Sequence, residues 1–160
     1  MDDAAVKIKS DALRLLSFRP RSISEMRKRL KMKRYSSELI DETIDFLKLH
    51  GFLDDEKFAQ LYANSRTSTR PSGRRQLAFD MERQGVPKGI VTKTMEGLTE
   101  YDEHAAAREL VSLKFAKMSG VSDEKKKARL FGFLKRRGFS NGIIFDVLKQ
   151  LFSEVEDLDH

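Results

Sequence analysis

Three stretches of this 160-residue chain superpose without a gap, and that self-similarity limits the fold more than any other feature. The first begins at Tyr35, Ser36, Ser37, Glu38, the second at Val86, Pro87, Lys88, Gly89, and the third at Phe139, Ser140, Asn141, Gly142. Leu39, Ile40, Ile44 and Leu47 of the first match Ile90, Val91, Met95 and Leu98 of the second and Ile143, Ile144, Leu148 and Leu151 of the third. Only 39% of the chain is apolar, so filling all twelve positions by chance is an event of roughly 1 in 10⁵. The spacing i, i+1, i+5, i+8 lies on one face of a helix. Ser36, Pro87 and Ser140 stand where a helix opens and are of cap or first-turn type.

The segments before these also align. Met26 and Leu30, Leu77 and Met81, and Leu130 and Leu134 form an i, i+4 stripe for a second helix in each unit. It is closed by Gly85 in unit two and Gly138 in unit three, the residue that takes a left-handed cap without strain. Arg34 stands there in unit one, so that turn is expected to differ. Ser22 followed by Glu25 reads as a capping box at the start of unit one's second helix. A further helix precedes each pair, with Leu13 and Leu16, then Phe58, Leu61 and Tyr62, then Ala106, Leu110 and Leu113 as its expected apolar stripe. Asp54, Asp55 and Glu56, and Asp102 and Glu103, place negative charge at the starts of the last two of these helices.

The sequence therefore predicts an all-α protein of three tandem three-helix repeats, helix-turn-helix-like units over residues 1–50, 51–98 and 99–153, with an acidic flexible tail at 154–160. Such units touch mainly their neighbours, and an elongated, curved array is expected. With 35% charged residues, several thin cores suit the composition better than one deep core.

Cysteine is absent, which removes disulfides, cysteine-ligated zinc and a thiol nucleophile together. The start has neither the apolar run nor the cleavage site of a signal peptide, and no stretch approaches a membrane span, so a cytoplasmic location is expected. The 31 Lys and Arg exceed the 25 Asp and Glu, and the excess of six lies entirely before residue 99. That favours an acidic partner.

Several strings resemble one family. Gly51, Phe52, Leu53, Asp54, Asp55, Glu56, Lys57, Phe58, Ala59 is similar to a signature of the RecX family of bacterial recombinase regulators. Arg19, Pro20, Arg21 and Ser22 with Glu25 and Leu30 resemble that family's first-repeat segment, Met26 standing where leucine is usual, and Arg136, Arg137, Gly138, Phe139 resembles its C-terminal motif. The resemblance covers about residues 10–152, leaving out Arg34, where a glycine is common, and the acidic tail. It implies a monomer that lies in the groove of a RecA filament on single-stranded DNA and inhibits its ATPase, strand-exchange and coprotease activities, without cofactor, metal or membrane. By the same resemblance Gly51, Asp54, Asp55, Phe58, Gly138 and Phe139 are structural.

The densest basic stretch holds Arg19, Arg21, Arg27, Lys28, Lys31 and their neighbours, opposed only by Glu25. Arg66, Arg70, Arg74 and Arg75 occupy the corresponding part of unit two, and Lys135, Arg136 and Arg137 lie in unit three. A solvated helix face explains any one such run. Its recurrence in each repeat points to an anion-binding face along the array. Single-stranded DNA, with duplex DNA as a weaker ligand, is the expected nucleic acid, and a general basic DNA-binding protein acting without a recombinase is the alternative. Base readout by each unit's last helix is disfavoured, because Glu38, Asp41, Glu42 and Asp45 against Lys48 leave the first of them at −3. Asp54, Asp55 and Glu56 point in different directions from one helix start and make a poor metal site. His50, His104 and His160 share no spacing, and Lys93 with Thr94 lacks the glycines of a phosphate loop. No catalytic set emerges. Phe52, Phe58, Phe139 and Phe145 read as core residues, with stacking on bases as the alternative.

Overall fold

The computed structural model describes residues 2–159. Nine α-helices and no strand occur among them: α1 (Asp3–Phe18), α2 (Ile23–Met32), α3 (Ser37–Leu49), α4 (Asp55–Thr69), α5 (Arg74–Arg83), α6 (Lys88–Gly97), α7 (Glu103–Phe115), α8 (Asp123–Arg136) and α9 (Asn141–Leu158). Ser22, Ser36, Asp102, Ser122 and Ser140 cap helices through their side chains, each accepting the amide three residues on. Asp54 does the same for α4, its carboxylate accepting from the Glu56 and Lys57 amides at 3.0 and 3.2 Å. Acidic side chains thus satisfy amides that the helix itself leaves open.

The apolar stripes of the second and third helices pack as the spacing predicts. Met26, Leu30, Leu77, Met81, Leu130 and Leu134 are all buried, as are Ile40, Ile44 and Leu47 in the first repeat. One position escapes the pattern because it is polar in two repeats. Thr43, Thr94 and Val147 are buried at equivalent places, each threonine donating its hydroxyl to the carbonyl one turn back, at 2.7 and 2.8 Å.

Three expectations need correcting. The turn at Arg34 does not differ from its counterparts: Arg34 itself adopts φ +68°, beside +90° at Gly85 and +81° at Gly138. In all three the left-handed residue donates to the carbonyl three back and the next residue to the carbonyl five back, which is the Schellman pattern. The stripe of the first helices is also shifted. Phe58 and Ala106 are buried as expected and Leu16, Tyr62 and Leu110 half-buried, but Leu13, Leu61 and Leu113 are exposed, and Ile8, Ala12, Ala59, Ala63 and Ala107 join the buried face. Alanines make up much of this buried face, beside Ile8, Phe58 and Val111, where leucine would be sought. Finally, Glu154–Leu158 is not a frayed tail but the last turns of α9. Neither proline nor glycine follows Gly142, and Phe152 is buried with Val155 half-buried one turn on, so the helix has reason to continue. His160 lies outside the described residues.

The chain gathers into two compact units: residues 1–62 with 80–96, and residues 63–79 with 97–160. The middle repeat is shared between them. In the first unit, Ile8, Ala12, Met26, Leu30, Ile40, Ile44, Leu47 and Leu53 form one apolar cluster. In the second, Ala106, Ala107, Val111, Leu130, Leu134 and Phe139 pack with Ile144, Val147, Leu148 and Phe152.

Inside each unit the same device joins one repeat to the next. In the first, the Ile23 amide at the start of α2 donates to Asp55 at the start of α4 (2.9 Å), and the Ser22 hydroxyl donates to the Gln84 carbonyl at the end of α5 (2.5 Å). In the second, the Arg74 amide at the start of α5 donates to Glu103 at the start of α7 (2.6 Å), and the Gly73 amide donates to the Arg137 carbonyl at the end of α8 (2.9 Å). Gly73 stands 51 residues after Ser22, and any side chain there would collide with the Gly138 backbone. Burial of Asp55 in this junction raises its carboxyl pKa, opposed by the Ile23 amide bond.

Candidate nucleic-acid and partner interface

The arginines and lysines singled out in the sequence separate by what holds them. Arg21 is 8% exposed: its Nε donates to the Leu15 carbonyl (3.2 Å) and its Nη1 to Glu25 (2.8 Å). Glu25 also binds Arg19, so the carboxylate expected to close a capping box clamps two guanidiniums, while Ser22 still accepts the Glu25 amide. Arg27 pairs with Asp41 on α3. Lys28 and Lys31 project from the exposed side of α2, one turn apart. Among the sequence candidates of the first unit, these two are the cations most open to an external anion.

In the second unit, Arg74 reaches into the structure, its guanidinium donating to the Leu98 and Tyr101 carbonyls and lying 5.8 Å from the Tyr101 ring. The Tyr101 hydroxyl in turn donates to the Ser72 carbonyl at 2.5 Å, and burial raises its pKa. Arg137 donates twice to the Pro71 carbonyl, at 3.2 and 2.7 Å. Arg21, Arg74 and Arg137 therefore act on backbone carbonyls in or beside the loops that flank these helices, and the first two face inward. Lys135 binds Asn141 at 2.7 Å on the surface, and Arg136 and Arg75 are exposed.

The charges of Arg66 and Arg70 reach Arg137. Burial lowers the Arg137 pKa, and the positive charges of Arg70 and then Arg66 lower it further, partly offset by Tyr101. Beside them the Phe133 ring carries the Lys114 ammonium at 4.3 Å from its centre and the Arg137 guanidinium at 5.8 Å. A positive field of this kind suits an anion, and phosphate oxygens suit guanidinium forks. Lys114, Phe133 and Tyr101 are not legible as site residues in the sequence. Arg70–Pro71, matching Arg19–Pro20 at the same distance from its second helix, is the one signal there that points to this loop.

The family-signature residues hold turns, caps and core positions. Gly51 takes φ +74° after α3, Asp54 caps α4, Asp55 joins two repeats, Phe58 and Phe139 are buried, and Gly138 closes α8. Phe52 and Phe145 are not core residues, being 50% and 60% exposed. His50 ends α3 with its ring 4.4 Å from that of Phe46, and His104 lies 3.5 Å from Asp146. No cluster of three metal-binding side chains occurs among the described residues, and no described helix is long and apolar enough to cross a membrane.

Comparison with known proteins supplies the context. Three family models match in order: the first three-helix domain of RecX at residues 9–47, the second at 54–95 and the third at 100–148. The chain belongs to the RecX family. Among curated RecX relatives, the "Regulatory protein RecX" of Chlorobium limicola is 34% identical over 88% of this chain and 87% of its own length. Those of Thermobifida fusca and Streptomyces coelicolor are 31% and 30% identical, covering 93% and 99% of this chain and 80% and 85% of theirs. The crystal structure of RecX from Lactobacillus salivarius matches the RecX fold seen here with a TM-score of 0.80 at 21% identity, over 94% of this chain and 98% of that one. A second RecX structure gives 0.80 at 20%, over 92% and 74%.

Proposed function

We propose that this protein is a non-enzymatic regulator of a RecA recombinase, binding the groove of the filament that the recombinase forms on single-stranded DNA and lowering its ATPase, strand-exchange and coprotease activities. Family membership supports a regulatory role, and the positive region where Lys114 and Arg137 lie over the Phe133 ring, with the charges of Arg66 and Arg70 acting on Arg137, is the observation that carries the anionic partner. Lys28 and Lys31 offer a second anionic contact from the first unit. The three repeats, residues 1–50, 51–98 and 99–153, serve in this reading as modules whose individually weak contacts act together along a filament, and the active species is a cytoplasmic monomer without cofactor.

The deciding experiment measures DNA-dependent ATP hydrolysis by the cognate recombinase with and without the full-length protein, and then with Arg66→Ala, Arg70→Ala protein. Wild type should lower the rate and the double variant should do so much less. Tight binding to naked single-stranded DNA with no effect on the recombinase would replace this reading with that of a general basic DNA-binding protein.

A further inference from the structure

An open groove of about 540 Å³ runs along the seam of α8 and α9. Its lining includes Phe131, Phe145, Leu148 and Phe152, with Lys127, Lys149 and Glu156 as its charged members. Phe131 and Phe145 lie 5.5 Å apart, and Lys127 sits 4.8 Å from the centre of the Phe152 ring.

The other two repeats show that this face need not be apolar. Where the third repeat has Phe131 and Phe145, the second has Ala78 and Thr92, and the first has Arg27 and Asp41, which form an ion pair across the same two helices. Where the third has Lys149, the others have Glu96 and Asp45. A solvated, acid-rimmed position has thus become aromatic and basic in one repeat of three, and the fold accommodates either version.

We propose that this groove docks an amphipathic helix of a protein partner, carrying large apolar side chains on one face and acidic residues beside them. Phe145 is 60% exposed, and Leu148 and Phe152, three and seven residues on, form a largely buried apolar floor against which the stripe of a second helix can pack. From Phe145 to Glu156 the groove follows α9 for about 16 Å, room for three turns of a ligand helix. The apolar part of the lining offers no partner for the polar edges of a nucleobase, and Glu156, with Glu154 and Asp157 near it in sequence, repels phosphate at one end. Lys127 and Lys149, two cations against the single carboxylate of Glu156, select acidic flanks on the ligand. This assignment stands apart from the recombinase reading, since it depends on neither the charges acting on Arg137 nor any named partner.

The test uses the full-length protein and a labelled synthetic helical peptide of about 15 residues with Leu and Phe at i, i+3, i+4, i+7 and Glu on either side. A control replaces its Glu residues by Lys, and oligothymidylate is the second probe. The acidic peptide should bind with a dissociation constant between about 1 and 100 μM, at least tenfold tighter than the Lys control, and should shift the NMR signals of α8 and α9. Phe131→Arg with Phe145→Asp, which installs the first repeat's ion pair, should weaken the peptide at least tenfold and leave oligothymidylate unchanged. Lys149→Glu, on an exposed rim position, should reduce the preference for the acidic peptide while the melting temperature holds. Equal binding of both peptides overturns the proposal, as does the lack of binding at about 1 mM. Loss of oligothymidylate affinity in the aromatic variant would make the groove a base-stacking site instead.

Discussion

Arg34→Gly should stabilise a protein from which a well-exposed arginine is removed. Arg34 is held at φ +68° by the same two backbone bonds that close the turns at Gly85 and Gly138. A side chain bearing a Cβ in the left-handed region costs about 1 to 2 kcal/mol, and glycine returns about 0.5 to 1 kcal/mol of that through the greater freedom of the unfolded chain. Since Arg34 is exposed, little packing is removed, and the net gain is about 0.5 kcal/mol. The reverse change at the equivalent position is much worse. Gly138→Ala incurs the same left-handed strain and drives its methyl group into the Gln76 side chain at the junction of two repeats. Adding about 1 to 3 kcal/mol for overpacking gives a loss of about 2 to 4 kcal/mol. At about 2 to 4 °C per kcal/mol for a chain of this size, melting should rise by about 1 to 2 °C in the first variant and fall by about 5 to 15 °C in the second. Urea titration followed by far-ultraviolet circular dichroism, with calorimetry alongside, measures both. A loss on Arg34→Gly, or a neutral Gly138→Ala, would refute the claim that the three turns are one structure.

The buried junction at Asp55 makes a pH-dependent prediction. Its carboxyl pKa is raised, so its contribution is fully present below the unfolded carboxylate pKa near 3.8 and is lost as pH rises through the folded value; urea midpoints of Asp55→Asn should therefore gain on wild type from about pH 4 upward, while Asp55→Ala should lose about 1 to 3 kcal/mol by orphaning the Ile23 amide. Tyr35 donates its hydroxyl to Asp11 at 2.5 Å and its pKa is pushed up to about 12, with burial the larger cause. Stability should fall between its ordinary pKa of 10.0 and about 12, and Tyr35→Phe should remove that component of the alkaline transition, read by ultraviolet absorbance and circular dichroism together. Arg66→Ala with Arg70→Ala should flatten the salt dependence of single-strand binding by up to about 0.7 in log K per log salt for each phosphate no longer neutralised. Arg21→Ala should instead lower the melting temperature with little change in that slope, because its guanidinium is engaged by Leu15 and Glu25.

Legibility is greatest where the physics is periodic. Second and third helices announce themselves in the sequence through Met26, Leu30, Ile40, Ile44 and their equivalents, because large apolar residues there have one face to fill. First helices come out partly misphased because many of their buried positions are alanines, which carry little hydrophobic signal and lie beside exposed leucines such as Leu113. The basic residues are easy to count and hard to sort. Arg21, Arg74 and Arg137 look like their neighbours in composition, yet their acceptors include carbonyls of Leu15, Leu98, Tyr101 and Pro71, and a carbonyl leaves no mark in a sequence. The action of Arg66 and Arg70 on Arg137 links residues more than sixty apart, which only the folded chain brings near. Phe145 reads as core because an aromatic on a mostly apolar helix usually is; Asp41 and Thr92, its own internal counterparts, are the sequence signal for an exposed position.

The junction between repeats has a grammar of its own. Each second helix that begins at Ile23 or Arg74 is punctuated by a carboxylate borrowed from the following repeat, Asp55 or Glu103, so the device reads in one direction only. At the front, Ala4 stands 51 residues before Asp55 and has no carboxylate to lend. At the back, no carboxylate of another repeat caps α8 among the described residues: Asp123 and Glu124 supply the charge, and the helix is 14 residues long where α2 and α5 have 10. The helix starts of the three repeats are therefore not interchangeable. Duplicating a repeat in the laboratory would yield a working four-repeat protein only if the middle one were copied, for it alone both lends and borrows.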